Sequence, residues 1–431
     1  MTRHSENSFR NTLADMGIDS EFVTISRHVN GVLYRPFSAN EKTRIGIMVM
    51  HSGSDYMARN ILGMAKYGYT VLCANASDYF GNLDNKIADL RDATEYLRSC
   101  EGVTKVVLWG HSGGATLMTA YQRMAENGVS SCQGPEKIHK ASDELKDMTP
   151  ADGVMLIDAN CGNALMSLFS MDPAVVAEDG SAGLDPELDL FNEANSFREG
   201  GTTFSEEFKS RFLRTQGARM NRLIEYALSR EAMIDAGESF YEDDEPFNVI
   251  GAANGFMNNK LYAQDLSLFA HTHDAWPLIH KDGNITNEVV KSLRDPENDR
   301  SFTHNLREGT LNTTIRNFLS EFAIRTLDDY SFDEDSIRGV DWQSTYSTPV
   351  GNVESISAPL LVMGMTAGWE FLASEQIYDH AASKDKHLAF VEGATHPYTT
   401  KPGCEDLYGD TLETVLSYAD KWLSEPGRFT D

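Results

Sequence analysis

Positive charge, paired cysteines and long apolar runs are all scarce in this sequence of 431 residues. Lys and Arg together number 37 against 65 Asp and Glu, which gives a formal net charge of −28. Nucleic acids and anionic membrane surfaces are bound by clustered basic residues, so this balance argues against both kinds of partner. The charge balance by itself identifies no reaction.

The cysteines and the apolar stretches exclude two further classes. The five cysteines are an odd number and form no CxxC pair, which favours reduced thiols over a disulfide framework. No apolar stretch approaches the roughly 18 residues of a membrane span, and residues 1–17 contain no apolar segment typical of a secretory signal. We therefore expect a cytoplasmic protein that is not embedded in a membrane.

What the sequence does contain is an alternation of apolar strands and amphipathic helices. Runs rich in Val, Ile, Leu and Met, which are typical of buried strands, occur at 28–37, 44–50, 69–75, 105–109 and 153–158. Helical spacing of apolar residues is found at 55–67, 82–99 and 112–126. Such an alternation predicts an α/β fold with a doubly wound, mostly parallel sheet.

The alternation stops near residue 163 and resumes with apolar strands at 358–365 and 387–393. Residues 163–345 contain instead a long amphipathic helix over 205–234 and loops rich in Gly, Asn and Asp. We therefore expect an α/β core formed by residues 1–162 and 346–431, interrupted after the sixth strand by a mainly helical cap over 163–345. The cap has 33 acidic residues against 16 basic ones, which disfavours a polyanionic substrate.

The most informative stretch is "VVLWGHSGGA", residues 106–115, in which a predicted strand runs directly into a glycine-rich turn. Gly110-His111-Ser112-Gly113-Gly114 matches G-x-S-x-G between a strand and a helix, the context in which this motif presents a nucleophilic serine. The helix N-terminus beside it, with the Gly113 N–H, favours a developing oxyanion. A glycine-rich turn without a chemical role is the alternative.

A nucleophilic serine needs a histidine base, which a carboxylate usually orients. The histidine should lie in a loop that follows a late strand, and "HLAFVEGATHPY" places His396 in such a loop. Ligand and active sites of open α/β sheets lie at the carboxyl edge of the strands. His396 is therefore the predicted base.

The chain resembles the α/β-hydrolases of the serine-esterase type. The resemblance covers roughly residues 28–162 and 346–425, and its specific parts are the elbow at Ser112, the "GATH" loop and "VMHSG". In this family a second oxyanion-hole N–H comes from the loop after the third strand, which usually begins His-Gly. Here that loop reads His51-Ser52-Gly53-Ser54, so the resemblance implies Gly53 as a donor beside Gly113.

The acid of the triad is where the sequence departs from the family. Most members carry an aspartate shortly after the seventh strand, but "VMGMTAGWEF" places Gly368 there. Asp158 follows the sixth strand, where some members, the haloalkane dehalogenases among them, keep their acid. Glu370 lies two residues beyond the empty position, and its longer side chain could reach back. Both carboxylates remain candidates.

These residues together predict a serine hydrolase that cleaves a carboxylic ester or lactone of a medium-to-large organic molecule through an acyl-enzyme. No cofactor is required. Two other activities of the same machinery stay open, acyl transfer to another acceptor and cleavage of a carbon–carbon bond. A non-catalytic, ligand-binding protein of this fold is a third alternative, favoured by the missing acid after the seventh strand.

Two remaining features carry little weight. His271 and His273, in "HTHD", are the nearest approach to a metal-ligand pair, but two histidines in a loop are a weak signal and we predict no metal site. The oligomeric state is left open, and a homo-oligomer is compatible with the sequence. The expected partner is a small-molecule ester or lactone.

Overall fold

A ten-stranded sheet forms the centre of the protein. The computed structural model describes residues 13–430 except 58–59, 79–80, 199, 242, 254–259 and 297–308. The strands lie in the order β1-β2-β4-β3-β5-β6-β13-β14-β8-β9. All pairs from β4 to β8 are parallel, while β1 with β2, β2 with β4 and β8 with β9 are antiparallel.

The strands are β1 (Ile18–Thr24), β2 (Asn30–Pro36), β3 (Ile45–Val49), β4 (Thr70–Ala74), β5 (Lys105–Ser112), β6 (Gly153–Ala159), β7 (Pro246–Val249), β8 (His271–Ile279), β9 (Ile285–Lys291), β10 (Leu311–Thr314), β11 (Thr326–Phe332), β12 (Ile337–Val340), β13 (Leu360–Met365) and β14 (Lys386–Val391). The helices of eight residues or more are α1 (Leu83–Ser99), α2 (Gly114–Asn127), α3 (Asn163–Ser170), α4 (Glu206–Asp235), α5 (Phe371–His380) and α6 (Thr411–Leu423). Shorter helical segments cover Leu261–Gln264, Ile315–Asn317, Pro349–Val353 and Glu405–Tyr408.

Both faces of the sheet are covered, which explains why its central strands are apolar throughout. Along β5, Val106 and Leu108 belong to one hydrophobic cluster, and Val107 and Trp109 belong to the other. Helices α1, α2 and α5 contribute to the first cluster, and α6 contributes to the second. Successive side chains of a strand point to opposite faces, so a strand between two helical layers must be apolar at every position. The predicted doubly wound α/β-hydrolase fold is therefore confirmed.

One helix of the core differs from the prediction. The apolar spacing over 55–67 predicts an α-helix, whereas the structure has only a 3₁₀ helix over Asn60–Ala65 in the described part of that stretch. Gly63 lies close to α6, where an added Cβ would be 2.7 Å from Leu416 Cδ1. The stretch is therefore packed tightly against α6, and this tertiary contact overrides the helical spacing.

The segment between β6 and β13 is less helical than expected. Its main helix, α4, begins at the N-cap Ser205, whose side chain accepts a hydrogen bond from the Phe208 backbone N–H, and it buries the predicted apolar face. The segment also forms two small antiparallel ribbons, β7 with β10 and β11 with β12. Two more of its strands, β8 and β9, extend the main sheet beyond β14. None of the described helices has the length and apolarity needed to cross a bilayer.

A buried ion pair joins the inserted segment to the core. Lys86 Nζ, on α1, lies 2.8 Å from Glu321 Oε2 and 3.0 Å from Glu321 Oε1, and the two side chains are 2% and 3% exposed. The Asn163 side-chain amide donates to the same carboxylate at 2.7 Å. Burial raises the pKa of Glu321, whereas the Lys86 ammonium opposes that shift. The charges compensate each other in a place that water does not reach.

We predict that Lys86→Met lowers the free energy of unfolding by about 3–5 kcal/mol, because it leaves the Glu321 carboxylate buried without its cation. The double variant Lys86→Met/Glu321→Met should recover most of that loss. Chemical denaturation measures both. Lys66→Met is the matched control, because Lys66 pairs with Glu413 at 3.7 Å on the surface, where about half of each side chain is exposed. It should cost less than about 1 kcal/mol. An equally small cost for Lys86→Met would contradict the prediction.

Candidate active site

Ser112 lies at the end of β5 on a strained turn. Its φ of 53° is in the left-handed region, which costs free energy for a residue other than glycine and which is found most often at functional sites. A Cβ at Gly110 would lie 2.7 Å from Ala115 Cα, and one at Gly114 would lie 2.7 Å from the Met50 carbonyl oxygen. Only glycine fits at these two positions. The turn therefore holds the Ser112 side chain above the edge of the sheet, as predicted from the motif.

Asp158 lies at the end of the neighbouring strand, β6, and it is fully buried. Its backbone φ of 49° is left-handed as well. Its Oδ1 accepts a hydrogen bond from the Met365 backbone N–H at 2.9 Å. Its Oδ2 lies 2.6 Å from His396 Nδ1. The structure therefore brings together the predicted base and one of the two predicted acids.

Glu370 approaches the same imidazole nitrogen. Its Oε2 lies 3.3 Å from His396 Nδ1, and its side chain is 10% exposed. That oxygen makes no aligned hydrogen bond, whereas the contact of Asp158 is both shorter and aligned. The geometry therefore ranks Asp158 ahead of Glu370 as the partner of the imidazole, with Glu370 as a second carboxylate beside it.

Gly368 explains why the usual position of the acid is empty. A Cβ at Gly368 would lie 2.9 Å from Asp158 Oδ2 and 3.1 Å from the Met365 carbonyl oxygen. A side chain at this position would collide with the carboxylate that already faces His396. The aspartate on β6 and a side chain at Gly368 thus compete for one space.

Burial and two negative charges act in opposite directions on His396. Burial alone would lower the pKa of its imidazole, but the charge of Glu370 and then the hydrogen bond and charge of Asp158 raise the pKa from 6.5 to about 9. Burial raises the pKa of Glu370, and the charge of Asp158 adds to that shift. For the basic side chain of Lys260, burial has the opposite effect and lowers the pKa to about 7, although the negative charge of Glu370 opposes this shift.

Two residues that the sequence analysis did not select hold the His396 loop in place. His111 Nε2 lies 2.8 Å from the His396 carbonyl oxygen, and His111 Nδ1 lies 2.5 Å from the Tyr56 hydroxyl. Because a carbonyl only accepts, Nε2 is the donor, and in a neutral ring the Tyr56 hydroxyl then donates to Nδ1. His111 directly precedes Ser112, so it links the elbow to the loop of the base. No sequence signal pointed to Tyr56.

The two predicted oxyanion donors lie in adjacent turns, but only one of these N–H groups has a partner identified in the structure. The Gly53 N–H donates to His51 Nδ1 at 2.9 Å, so it is used within its own turn. Gly113 packs against that turn, since a Cβ there would lie 2.9 Å from Ser52 Oγ. Ser52 Oγ in turn donates to the Gly113 carbonyl at 3.3 Å. The loop after β3 and the elbow are therefore in contact.

The histidines of "HTHD" lie on strand β8 and not in a loop as expected. His271 Nδ1 lies 2.9 Å from the Thr272 carbonyl oxygen, and His273 Nδ1 lies 3.3 Å from Asp335 Oδ2. In the described part of the chain, the side chains whose potential metal-ligand atoms all lie within 4.8 Å of one another are those of Asp158, Glu370 and His396. The His396 nitrogen of that group is already hydrogen-bonded to Asp158.

A large cavity opens in front of these residues. Its volume is about 1010 Å³, and its lining includes Ser112, Glu370 and His396. The inserted segment supplies another part of the lining, including Asn312 on β10 and Phe322. We call this space the central cavity. It is large enough for a ligand at the upper end of the usual range of about 300–1,000 Å³.

Comparison with known proteins gives a limited result. No protein-family model and no curated protein matches the chain. Among solved structures, Est1E from Butyrivibrio proteoclasticus is 12% identical with a TM-score of 0.39, over 94% of this chain and 97% of that one. Siderophore hydrolase EstB from Aspergillus fumigatus is 11% identical with a TM-score of 0.42, over 95% and 97%. Dienelactone hydrolase from Anabaena variabilis is 9% identical with a TM-score of 0.36, over 94% and 97%. Similarity this low carries no argument about activity, which must be inferred from the site itself.

We predict that Glu370→Gln lowers the pKa of His396, because it removes the negative charge that contributes most to raising it. An NMR titration of the imidazole should give a pKa above the ordinary 6.5 in the native protein and a lower one in the variant. Glu354→Gln is the matched control, since Glu354 Oε1 lies 2.7 Å from Nδ1 of a different histidine, His380. It should leave His396 unchanged. An unchanged pKa in Glu370→Gln would show that the second carboxylate does not act on the imidazole.

Proposed function

We propose that the protein is a serine hydrolase that cleaves a carboxylic ester or lactone through an acyl-enzyme, with Ser112 as nucleophile, His396 as base and Asp158 as acid. The observation that carries the proposal is the 2.6 Å contact between Asp158 Oδ2 and His396 Nδ1, next to a serine on a strained strand-to-helix turn. An imidazole held by a carboxylate activates a serine hydroxyl when its other nitrogen reaches that hydroxyl. Both Ser112 and His396 line the central cavity, where a substrate could reach them.

In the proposed reaction, Ser112 Oγ attacks the carbonyl carbon while His396 Nε2 accepts the hydroxyl proton. The imidazolium that forms is stabilised by the buried Asp158 carboxylate. The tetrahedral intermediate collapses when the same nitrogen returns the proton to the leaving alcohol, and an acyl-enzyme remains. Water then attacks the acyl carbon by the same sequence and releases the acid.

The proposed oxyanion hole consists of the N–H groups of Gly113 and Gly53. Gly113 follows the nucleophile at the start of α2, where the helix N-terminus adds partial positive charge. The Gly53 N–H would first have to release His51 Nδ1, its partner at 2.9 Å. A change of this kind on substrate binding agrees with the observation that catalytic hydrogen bonds often tighten only in the complex.

We also propose that the segment 163–345 determines which ester is cleaved, while residues 1–162 and 346–431 supply the chemistry. Side chains of this segment line the central cavity opposite the elbow, which supports the division. The volume of about 1010 Å³ supports a medium-to-large substrate over a small acetate ester. The alternative of a non-catalytic binding protein was favoured by the missing acid at Gly368. Asp158 offers His396 a carboxylate instead, which weakens that alternative.

We predict that Ser112→Ala folds normally and loses about 10³-fold or more of its ester hydrolysis, because the nucleophile is gone. His396→Ala should lose as much, and the double variant should be little worse than either single variant. Hydrolysis of an activated aryl ester and covalent labelling by a fluorophosphonate measure both properties. Ser99→Ala is the matched control, since Ser99 is exposed on α1, and it should retain labelling and turnover. Wild-type turnover in Ser112→Ala would refute the proposed nucleophile.

We predict that Asp158→Asn and Glu370→Gln have different consequences. Asn at 158 can still accept from the Met365 N–H but no longer stabilises an imidazolium, so the loss should approach about 10⁴-fold. Glu370→Gln should retain most of kcat and should move the rising limb of the kcat/KM–pH profile to lower pH. The direction follows because only neutral His396 accepts a proton, and removal of the nearby charge lowers the pKa of its imidazole. The opposite ranking of the two variants would assign the acid to Glu370.

A further inference from the structure

We infer that the substrate of this site carries a neutral, polyhydroxylated group, such as a sugar or another polyol, in the part of the central cavity lined by the inserted segment. The inference rests on the proposed ester hydrolysis, and it specifies the chemical class of the substrate. Its basis is the combination of side chains around the cavity, which offers many hydrogen bonds and, among the described lining residues, no lysine or arginine.

Charge recognition is missing from the described lining of the central cavity. No Lys or Arg is found among the described residues that form it. Of its two carboxylates, Glu321 is paired with Lys86 at 2.8 Å, and Glu370 lies 3.3 Å from the His396 imidazole, which is already hydrogen-bonded to Asp158. An anionic substrate group would therefore lose its hydration without gaining the counter-charge of a lysine or arginine, which is unfavourable. A neutral substrate avoids this cost.

Amide side chains provide the polar part of the lining. Five asparagines surround the central cavity, namely Asn160, Asn163, Asn248, Asn312 and Asn317. An amide combines an acceptor oxygen with an NH₂ group that has two hydrogens to donate. Asn163, Asn312 and Asn317 each donate one of these hydrogens within the protein. Neighbouring hydroxyls on a sugar or polyol present the same combination of donor and acceptor.

The β7–β10 ribbon presents two of these amides side by side. Asn248 and Asn312 are direct cross-strand partners, and both are exposed. The alternate residues of the ribbon, Phe247, Val249 and Leu311, are buried in the hydrophobic cluster. Because strand residues alternate between faces, the two asparagines share the face opposite the buried apolar set, and both line the central cavity.

Two more amides of the lining are held in fixed orientations. Asn160 Oδ1 accepts from the Gly162 N–H at 2.9 Å, which orients its NH₂ group. Asn163 donates its NH₂ to Glu321 at 2.7 Å, which orients its oxygen. One amide thus has its donor group left for a ligand, and the other has its acceptor left. Polar groups fixed in this way by neighbouring hydrogen bonds lose little entropy on binding.

The lining of the cavity also includes an aromatic side chain. Trp369 is half-buried and lines the central cavity between Gly368 and Glu370. An indole offers a broad flat surface at low conformational cost, against which the C–H face of a pyranose can pack. Amides around the rim of such a surface then bond the outward hydroxyls. A purely aliphatic substrate would leave these amides without partners, which costs binding free energy.

The test compares esters that differ only in hydroxylation. Acetylated xylo-oligosaccharides and butyl acetate share one acyl group and an unactivated alcohol, and glucono-δ-lactone against δ-valerolactone places the hydroxyls on the acyl side instead. In at least one of these two pairs, we expect kcat/KM to be about 10-fold or more higher for the hydroxylated substrate than for its counterpart without hydroxyls. The pair that shows the preference identifies the side of the ester on which the polyol lies. No preference in either comparison would overturn the inference.

The variant Asn248→Ala/Asn312→Ala tests the ribbon directly. It should reduce kcat/KM for the preferred hydroxylated ester by about 10–100-fold, mainly through KM, because a neutral hydrogen bond contributes about 0.5–1.5 kcal/mol. The loss for p-nitrophenyl acetate should be at least several-fold smaller. Asn85→Ala, an exposed asparagine on α1, is the matched control and should change neither. Equal losses on both substrates would contradict recognition of hydroxyls by the ribbon.

Fluorophosphonate labelling of Ser112 distinguishes failure of the polyol inference from failure of the proposed function. If Ser112 is labelled and aryl esters are cleaved without any preference for hydroxylated substrates, the polyol inference fails and the serine hydrolase stands. If Ser112 is not labelled and no ester is cleaved, the proposed function fails, and the inference fails with it.

Discussion

Burial of the Asp158 carboxylate costs free energy that its hydrogen bonds must offset, and both of these bonds reach to other parts of the chain. One comes from the Met365 N–H at the end of β13, and the other comes from His396 in the loop after β14. The carboxylate therefore fixes the relative positions of three strand ends. Pairing of β5 with β6 also fixes the position of Ser112, at the end of β5, relative to Asp158 on β6. Asp158 thus adds to the direct link that His111 makes between the elbow and the His396 loop.

The position of the Asp158 carboxylate beside His396 depends on excluded volume as much as on electrostatics. Gly368 approaches Asp158 so closely that a Cβ would lie 2.9 Å from the carboxylate oxygen. The glycine is thus the condition that lets an aspartate on β6 reach the imidazole. Glu370 lies two residues after Gly368, and from there its carboxylate approaches His396. The two carboxylates that the sequence left as alternatives are therefore both near the ring, at different distances and with different alignment.

Structural features that depend on a few adjacent residues could be predicted from the sequence. Features that depend on contacts between residues far apart in the sequence could not. The Ser112 turn could be predicted because its glycines and the apolar run before it are adjacent in sequence. Strands β8 and β9 were missed because few of their residues are buried: β8 buries Thr272, Leu278 and Ile279, and β9, at the edge of the sheet, buries only Val290. The support of the His396 loop by His111 and Tyr56 was invisible, since it joins residues separated by 285 and 55 positions. The choice between Asp158 and Glu370 also required distances that no spacing rule provides.

The attachment of the inserted segment bears on how it can act on a substrate. Strand β8 pairs with Phe390 and Val391, the last residues of β14 before the His396 loop. Glu321 is tied to α1 through its buried pair with Lys86. A hinged lid would have to break sheet hydrogen bonds or separate buried charges in order to open, and both changes are costly. The segment is therefore better described as a fixed wall of the central cavity than as a freely moving cap, so selection of the substrate depends on the side chains that this wall presents.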